Sequence, residues 1–256
     1  MNLIGISGFA GSGKDTVADW LVREKAFVKL SLADPIKRIC KDVFDFSDEQ
    51  LWGPSEERSK RDKRYPRFIK NGIVAIEDAN CLIDLDEAID NKPLSEEERE
   101  KRHREYRTEY LTPRHALQQL GTEWGRACYN NVWVDYTIRT AKKLLEEQNY
   151  LYDQKEGLRK VPGVTRAGEF FPSDYGPMPG VVIPDVRFKN EVEAIREAGG
   201  KLVRVVRPKA GLEGEAASHQ SEREMALMGD ELFDLVIQND STLDDLFATV
   251  AKEFAA

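Results

Sequence analysis

The chain has 256 residues, of which 41% are hydrophobic, and a formal net charge of −8. That length suits one large α/β domain with insertions, and the apolar content is enough for a proper core. The acid excess argues against a broad nucleic-acid surface. No stretch reads as a secretion signal or a membrane span, so a cytoplasmic protein with no membrane partner is expected.

The first element is the apolar run Asn2-Leu3-Ile4-Gly5-Ile6-Ser7, which predicts a buried parallel strand. Gly8-Phe9-Ala10-Gly11-Ser12-Gly13-Lys14-Asp15-Thr16 follows, and Val17, Ala18, Leu21 and Val22 then repeat as one face of a helix. Strand, glycine-rich turn and helix together form the context of a phosphate-binding loop. Gly8, Gly11 and Gly13 let backbone N–H groups approach an anion, and Lys14 brings a mobile positive charge. The residue after the lysine is ordinarily a hydroxyl that holds Mg²⁺, but here it is Asp15, with Thr16 next. Asp15 is therefore open to two roles, holding Mg²⁺ through water or contacting an acceptor, while Thr16 remains placed for the α-phosphate.

Phe27 to Ser31 predicts a second strand, and Asp34-Pro35 opens a helix whose apolar face is Ile36, Ile39, Cys40, Val43 and Phe44. Lys37 on that helix faces either an acceptor phosphate or solvent. From Arg58 to Lys70 there are seven basic residues against one acid, Asp62. In an acidic chain this reversal predicts a loop that closes over an anion, or a merely solvated one. Residues 71–108 read as an insertion, with a short strand at Ile73 to Ile76 and a charged helix from Ser95 to about Tyr110.

Thr112-Pro113 starts another helix, with Leu117, Leu120, Trp124 and Ala127 as its core face. Arg114, Gln118 and Gly121 share a second face and suit a phosphate and a base or sugar, or form an exposed polar stripe. Gly121 and Gly125 are poor helix residues, so a close approach is expected there. Trp133 stacks on a base or packs in the core, on a helix that ends near Glu147. Residues 149–179 predict a long loop or flap. Val181-Val182-Ile183-Pro184-Asp185 is a strand ending in a carboxylate suited to Mg²⁺ or its water. A helix from about Arg187 stops at Gly199-Gly200, the next strand is Lys201 to Val206, and residues 207–222 suit a small lid. A last strand, Leu235 to Ile237, leads through Asn239-Asp240-Ser241 into a C-terminal helix. Cys40, Cys81 and Cys128 read as free thiols, and the scattered His103, His115 and His219 suggest no structural metal.

Taken together, these motifs resemble the phage-type deoxynucleoside monophosphate kinases. The matching blocks are Gly-Lys-Asp-Thr at 13–16, Ala-Asp-Pro-Ile-Lys at 33–37, Trp-Gly-Pro-Ser-Glu at 52–56 and Thr-Pro-Arg at 112–114. They continue with Leu-Gly-Thr-Glu-Trp-Gly-Arg at 120–126, Asp-Val-Arg-Phe-Lys-Asn-Glu at 185–191 and Ile-Gln-Asn-Asp ending at 240. The resemblance implies an α/β P-loop NTPase fold, a parallel sheet flanked by helices. It would form a single domain with insertions at 46–112 and 149–179, the acceptor-binding one included, and a small lid. It implies transfer of the γ-phosphoryl of ATP to a dNMP, giving ADP and a dNDP, with Mg²⁺ as cofactor. Ser12, Lys14, Asp15 and Thr16 would serve the phosphate loop. Arg114, His115 and Gln118 would face the acceptor with Trp133 nearby, and Asp185 and Arg187 would lie where the two substrates meet. His115 stands where some relatives have a lysine. A homodimer is compatible with the chain.

Two other readings share the loop. One is a P-loop kinase of another small acceptor such as dephospho-coenzyme A, which gives no reason for the Leu-Gly-Thr-Glu block. The other is a nucleotide switch or ATPase, which usually carries a basic surface that this chain lacks.

Overall fold

The computed structural model describes residues 2–70, 73–74, 106–161, 164–166, 169–171, 176–208 and 220–255. Its strands run in chain order as β1 (Leu3–Ser7), β2 (Val28–Lys29), β3 (Pro66–Lys70), β4 (Ile73–Val74), β5 (Tyr106–Tyr110) and β6 (Tyr150–Asp153). They continue as β7 (Gly157–Lys160), β8 (Val164–Arg166), β9 (Glu169–Phe171), β10 (Val181–Ile183), β11 (Lys201–Val206) and β12 (Leu235–Gln238). The chain forms two compact units, one of Met1–Ile39 with Gly121–Ala256 and one of Cys40–Leu120.

The first unit is built on a five-stranded parallel sheet in the order β12-β11-β1-β10-β2. Every residue of β1 is buried, as expected of a central parallel strand with both faces covered. Leu3 packs into one apolar layer with Leu144, Val192 and Ile195, from the helices Val132–Glu146 and Lys189–Glu197. Ile4 and Ile6 point the other way, to Val17, Leu21, Leu246 and Val250 of the helices Lys14–Lys25 and Leu243–Glu253. Gly5 is needed for the first layer, since a Cβ there would sit 2.9 Å from Ile195 Cδ1. This is the α/β architecture of a P-loop fold. Its order places the carboxyl ends of β1 and β10 side by side, where such sheets bind ligands.

The second unit has an antiparallel sheet in the order β4-β3-β5, with Pro66 opposite Tyr110. Its apolar centre gathers Cys40, Phe46, Leu51 and Ala116. Phe44 stacks on Phe46 at 5.3 Å, and Tyr65 meets both edge-on. Burial pushes the Cys40 thiol up to about 12, so it packs as an inert small hydrophobe. Asp62 is buried and takes two guanidinium bonds from Arg64, at 3.0 and 2.7 Å. The Arg64 side chain, opposed by burial and helped by the Arg64 N–H and the Gln50 amide, holds the Asp62 carboxyl down at about 2. A carboxyl depressed in the folded state adds stability above its unfolded pKa of about 4 and loses it as pH falls towards 2. Asp62→Asn is therefore expected to lower Tm at pH 7 by about 2–4 °C, the scale of about 1 kcal/mol for a pair whose arginine is half exposed. It should also flatten the fall in Tm between pH 4 and 2. A mutant Tm–pH curve parallel to wild type over that range would contradict the assignment.

Several sequence expectations are corrected. Residues 149–179 contain paired strands instead of an irregular flap, β6 with β7 and β8 with β9. The β6–β7 turn is fixed by the Asp153 carboxylate, which accepts the N–H groups of Lys155 and Glu156, and by Gly157 at φ +86°. The helix expected to run to Tyr110 gives way to strand β5, and the basic loop becomes strand β3 from Pro66. Pairing of Arg67 with Glu109 and of Lys70 with Tyr106 gives those polar residues alternating places on a ladder, which overrides their helical spacing. Ile39 and Val43 are exposed, unlike Ile36 and Cys40 on the same helix. Trp124 and Ala127 are exposed as well, because Gln119–Arg126 is a π-helix, whose wider turn breaks a face predicted at 3.6 residues per turn. The predicted close approach at Gly121 is present: a Cβ there would lie 3.0 Å from Ile36 Cδ1. Cys128 is an exposed free thiol. Cys81, His103, His219, the charged helix start at Ser95 and most of the lid lie outside the described residues.

Candidate functional site

β1 delivers the chain to the glycine turn, and Ser12 N–H closes it on the Phe9 carbonyl at 3.0 Å. Gly11 and Gly13 adopt φ of +77° and +98°, the left-handed region that favours glycine. Gly8 is required by space, since a Cβ there would come within 2.5 Å of Ser12 Oγ and 2.7 Å of the Val205 carbonyl oxygen. The helix Lys14–Lys25 then starts with Gly13 as its cap and no side chain satisfying its first N–H groups. The hydroxyls of Ser7 and Ser12 are buried without a hydrogen-bond partner. Open helix N–H groups beside an orphaned buried hydroxyl are a site that an anion completes.

Lys14 is only 8% exposed, so its side chain does not stand in open solvent. Its ammonium lies 2.6 Å from Asp15 and 3.2 Å from Asp185. Burial would lower its pKa, but Asp185 and then Asp15 outweigh that and carry it above the ordinary lysine value. Asp185 extends from the end of β10 and pairs with Arg187 at 3.3 Å. Burial would raise the Asp185 carboxyl, yet Lys14 and Arg187 together hold it below the ordinary range. Both groups are therefore charged at neutral pH. Asp15 is over half exposed and also lies 3.8 Å from Lys29. Lys14, Asp15, Asp185 and Arg187 thus form one chain of charge at the carboxyl ends of β1 and β10. Thr16 is half-buried on the first turn. Among the described residues no group of three or more His, Cys, Asp or Glu side chains is arranged to hold a metal by itself.

Three residues of this site escape a sequence reading. Glu191 is buried and accepts the N–H of Arg187 at 2.7 Å and of Phe188 at 3.1 Å, which fixes the loop that carries Asp185. Burial pushes its carboxyl above the ordinary range, against the pull of those amides and Arg126. Arg126 donates to it at 2.5 Å and lies 3.7 Å over the Phe188 ring. Asn239, after β12, donates from Nδ2 to the Ser12 carbonyl at 2.7 Å. The one available signal was Glu191 three residues past the helix entry, a place where a glutamate commonly reaches back to the first N–H groups.

Lys37 is half-buried on the helix Asp34–Phe44. Trp133 is 8% exposed and its indole N–H donates to the Gly121 carbonyl at 2.7 Å, so it is a core residue with its polar atom satisfied. In the second unit, Arg114 and Gln118 are both exposed on the helix Pro113–Gln118, which Thr112 caps by accepting the His115 N–H. The Arg114 guanidinium donates to Ser59 Oγ at 3.0 Å and Ser55 Oγ at 2.7 Å. It borders a concavity of about 480 Å³ that Lys60 also lines. Burial, then the nearby Arg67, lowers the His115 pKa, so this residue supplies no positive charge at neutral pH.

The model of the deoxynucleotide monophosphate kinase family matches residues 2–62 and 168–250, more than half of the chain. The match takes in the glycine loop, Asp185, Arg187, Glu191 and Asn239, whereas Arg114, His115, Gln118 and Trp133 lie between its two segments. A curated protein of Acanthamoeba polyphaga mimivirus that carries the provisional name deoxynucleotide monophosphate kinase is 26% identical over 250 residues, spanning 98% of this chain and 94% of that protein. The dephospho-CoA kinase from Campylobacter jejuni is 13% identical, with a TM-score of 0.42 over 99% of this chain and 96% of its own, a likeness too low to bear on the acceptor. No described helix is long and apolar enough to cross a membrane. With its loop, its paired lysine and the matched segments in order, the chain belongs to the deoxynucleotide monophosphate kinase family of phosphotransferases.

Proposed function

We propose that this chain transfers the γ-phosphoryl of ATP to a deoxynucleoside monophosphate, giving ADP and the dNDP. The observation that carries this reading is the buried Lys14 ammonium in a glycine loop, held by Asp15 and Asp185 in a chain of that family. On binding, the ammonium exchanges carboxylate oxygens for those of the β- and γ-phosphates. The acceptor phosphate is itself the nucleophile, so no strong base is needed. The task is to bring two anions together and stabilise an in-line transfer. Lys14 and Arg187 supply the charge at the loop, Gly11, Ser12, Gly13 and Thr16 supply N–H and hydroxyl donors, and Arg114 and Gln118 bind the acceptor. Ser55 and Ser59 support Arg114 in that role by fixing one side of its guanidinium.

Mg²⁺ fits the donor set. It keeps several waters and takes its other oxygens from nucleotide phosphates and one or two carboxylates. In this reading Asp15 and Asp185 would hold its waters, and when bound it would supply positive charge against the phosphates. Asp15→Asn is expected to raise the Mg²⁺ concentration needed for half-maximal rate, or the acceptor KM, by about 3–10-fold, the scale of one charged hydrogen bond. Identical Mg²⁺ and acceptor titrations would reduce Asp15 to a helix-terminal charge. The function itself is tested by ADP release from ATP and Mg²⁺ with a panel of dNMPs, NMPs and dephospho-coenzyme A. The expected result is turnover with at least one dNMP, preferred over its ribonucleotide. Turnover with dephospho-coenzyme A alone, or equal ADP release without any acceptor, would overturn it.

A further inference from the structure

The phosphate loop is braced by a residue 227 positions away in sequence. Asn239 follows β12 and is 7% exposed. Its own N–H donates to the Val206 carbonyl at 2.7 Å, so the edge of the sheet fixes its backbone. Three residues on, Thr242 caps the helix Leu243–Glu253, accepting the Asp245 N–H, and so fixes the far side of the same turn. From this anchored position the side-chain amide donates to the Ser12 carbonyl. The fit is close: a Cβ on Gly13 would lie 2.5 Å from Asn239 Nδ2 and 3.5 Å from Leu246 Cδ2.

A trans peptide holds its C=O and N–H antiparallel. Pinning the Ser12 carbonyl towards Asn239 therefore turns the Gly13 N–H away from it. Left to itself, a peptide between two residues of a glycine-rich turn can flip at little cost, and each flip would present an oxygen where an anion needs a donor. We propose that Asn239 is a positioning residue for the phosphoryl donor, locking the Ser12–Gly13 peptide so that the Gly13 N–H is preorganised for the ATP phosphates. The inference rests on the reading of the loop as the ATP site. It adds that the C-terminal segment, β12 and its following helix, sets donor affinity. Preorganised donors act without reorganisation at the moment of reaction, which is why one distant amide matters.

The test compares wild type with Asn239→Leu, which keeps the branched skeleton and removes the donor, and Asn239→Asp, which keeps the shape and sets an acceptor against the carbonyl. Wild-type binding of a non-hydrolysable ATP analogue is measured first, and its absence would strike the reading of the loop and not this inference alone. With that binding in place, both variants should raise the KM for ATP by about tenfold or more, with the larger effect for Asn239→Asp, while the dNMP KM stays within about twofold. A merely structural role would raise both constants together or leave both unchanged, and either pattern in folded protein overturns the proposal. Should the variants not fold, amide exchange in the wild type decides. The ATP analogue should slow exchange in residues 235–242 and the dNMP alone should not. No protection from the analogue, or equal protection from both ligands, would overturn the proposal as well.

Discussion

Lys14→Met is expected to lower kcat by roughly 10²-fold or more, the scale of one lost preorganised charge at a transferring phosphoryl group. The ammonium is buried, two carboxylates keep it charged, and it leaves the first turn of a helix whose N–H groups are open. Thioether substitution removes the charge and keeps most of the volume. The fold should survive, because Asp185 retains Arg187 at 3.3 Å and Asp15 retains access to solvent. Some stability should be lost, since Asp185 loses its leading counter-charge and its carboxyl drifts back towards the ordinary range. Steady-state rates with saturating substrates, beside a melting curve, separate the two effects. Wild-type turnover in a folded Lys14→Met protein would defeat the assignment of the loop.

Arg114→Ala is expected to lower kcat/KM for the dNMP by roughly 10²–10³, with ATP affinity measured without acceptor staying within a few-fold. A guanidinium on the acceptor phosphate both binds it and screens its charge from the incoming phosphoryl group, so its loss weighs more on the transition state than on the ground state. Two serine hydroxyls from the helix Ser55–Ser59 hold one side of the Arg114 fork, in a concavity that Glu56 and the Glu57-paired Lys60 also line. His115 beside it adds no charge at neutral pH. Gln118→Ala should cost less, chiefly in acceptor KM, because a neutral amide makes a weaker bond. The opposite pattern, with ATP binding lost and acceptor binding intact, would assign this helix to the donor.

The parts legible in sequence are those written contiguously. The glycine loop lies within nine residues, with the strand before it and the helix after it, so period and glycine spacing suffice. The parallel sheet was legible because β10 is an unbroken apolar run, β12 is apolar up to Gln238 and β11 is interrupted after its first residue only by Arg204. Asp185 was legible because it ends such a run. What stayed hidden depends on partners far apart in the chain. Asn239 reads as a turn residue until its amide is seen on the Ser12 carbonyl. Arg126 reads as the polar end of a helix until Glu191, 65 residues on, receives it in the interior. Local rules also failed where one local preference displaced another. The π-turn from Gln119 rotated Trp124 out to solvent, and the Asp153 and Gly157 turn converted an apparent flap into a hairpin. Trp133, open between a base-stacking and a core role, is a core residue because its N–H is spent on Gly121.

The most direct measurement follows the phosphoryl group itself. ATP labelled at the γ-phosphorus is incubated with Mg²⁺ and one dNMP at a time, and the products are separated. The label should appear in the dNDP in step with ADP, should stay in ATP when the dNMP is left out, and should fall by roughly 10²-fold or more with Lys14→Met. Label appearing as inorganic phosphate with no dNDP formed, at the same rate with and without acceptor, would contradict the account.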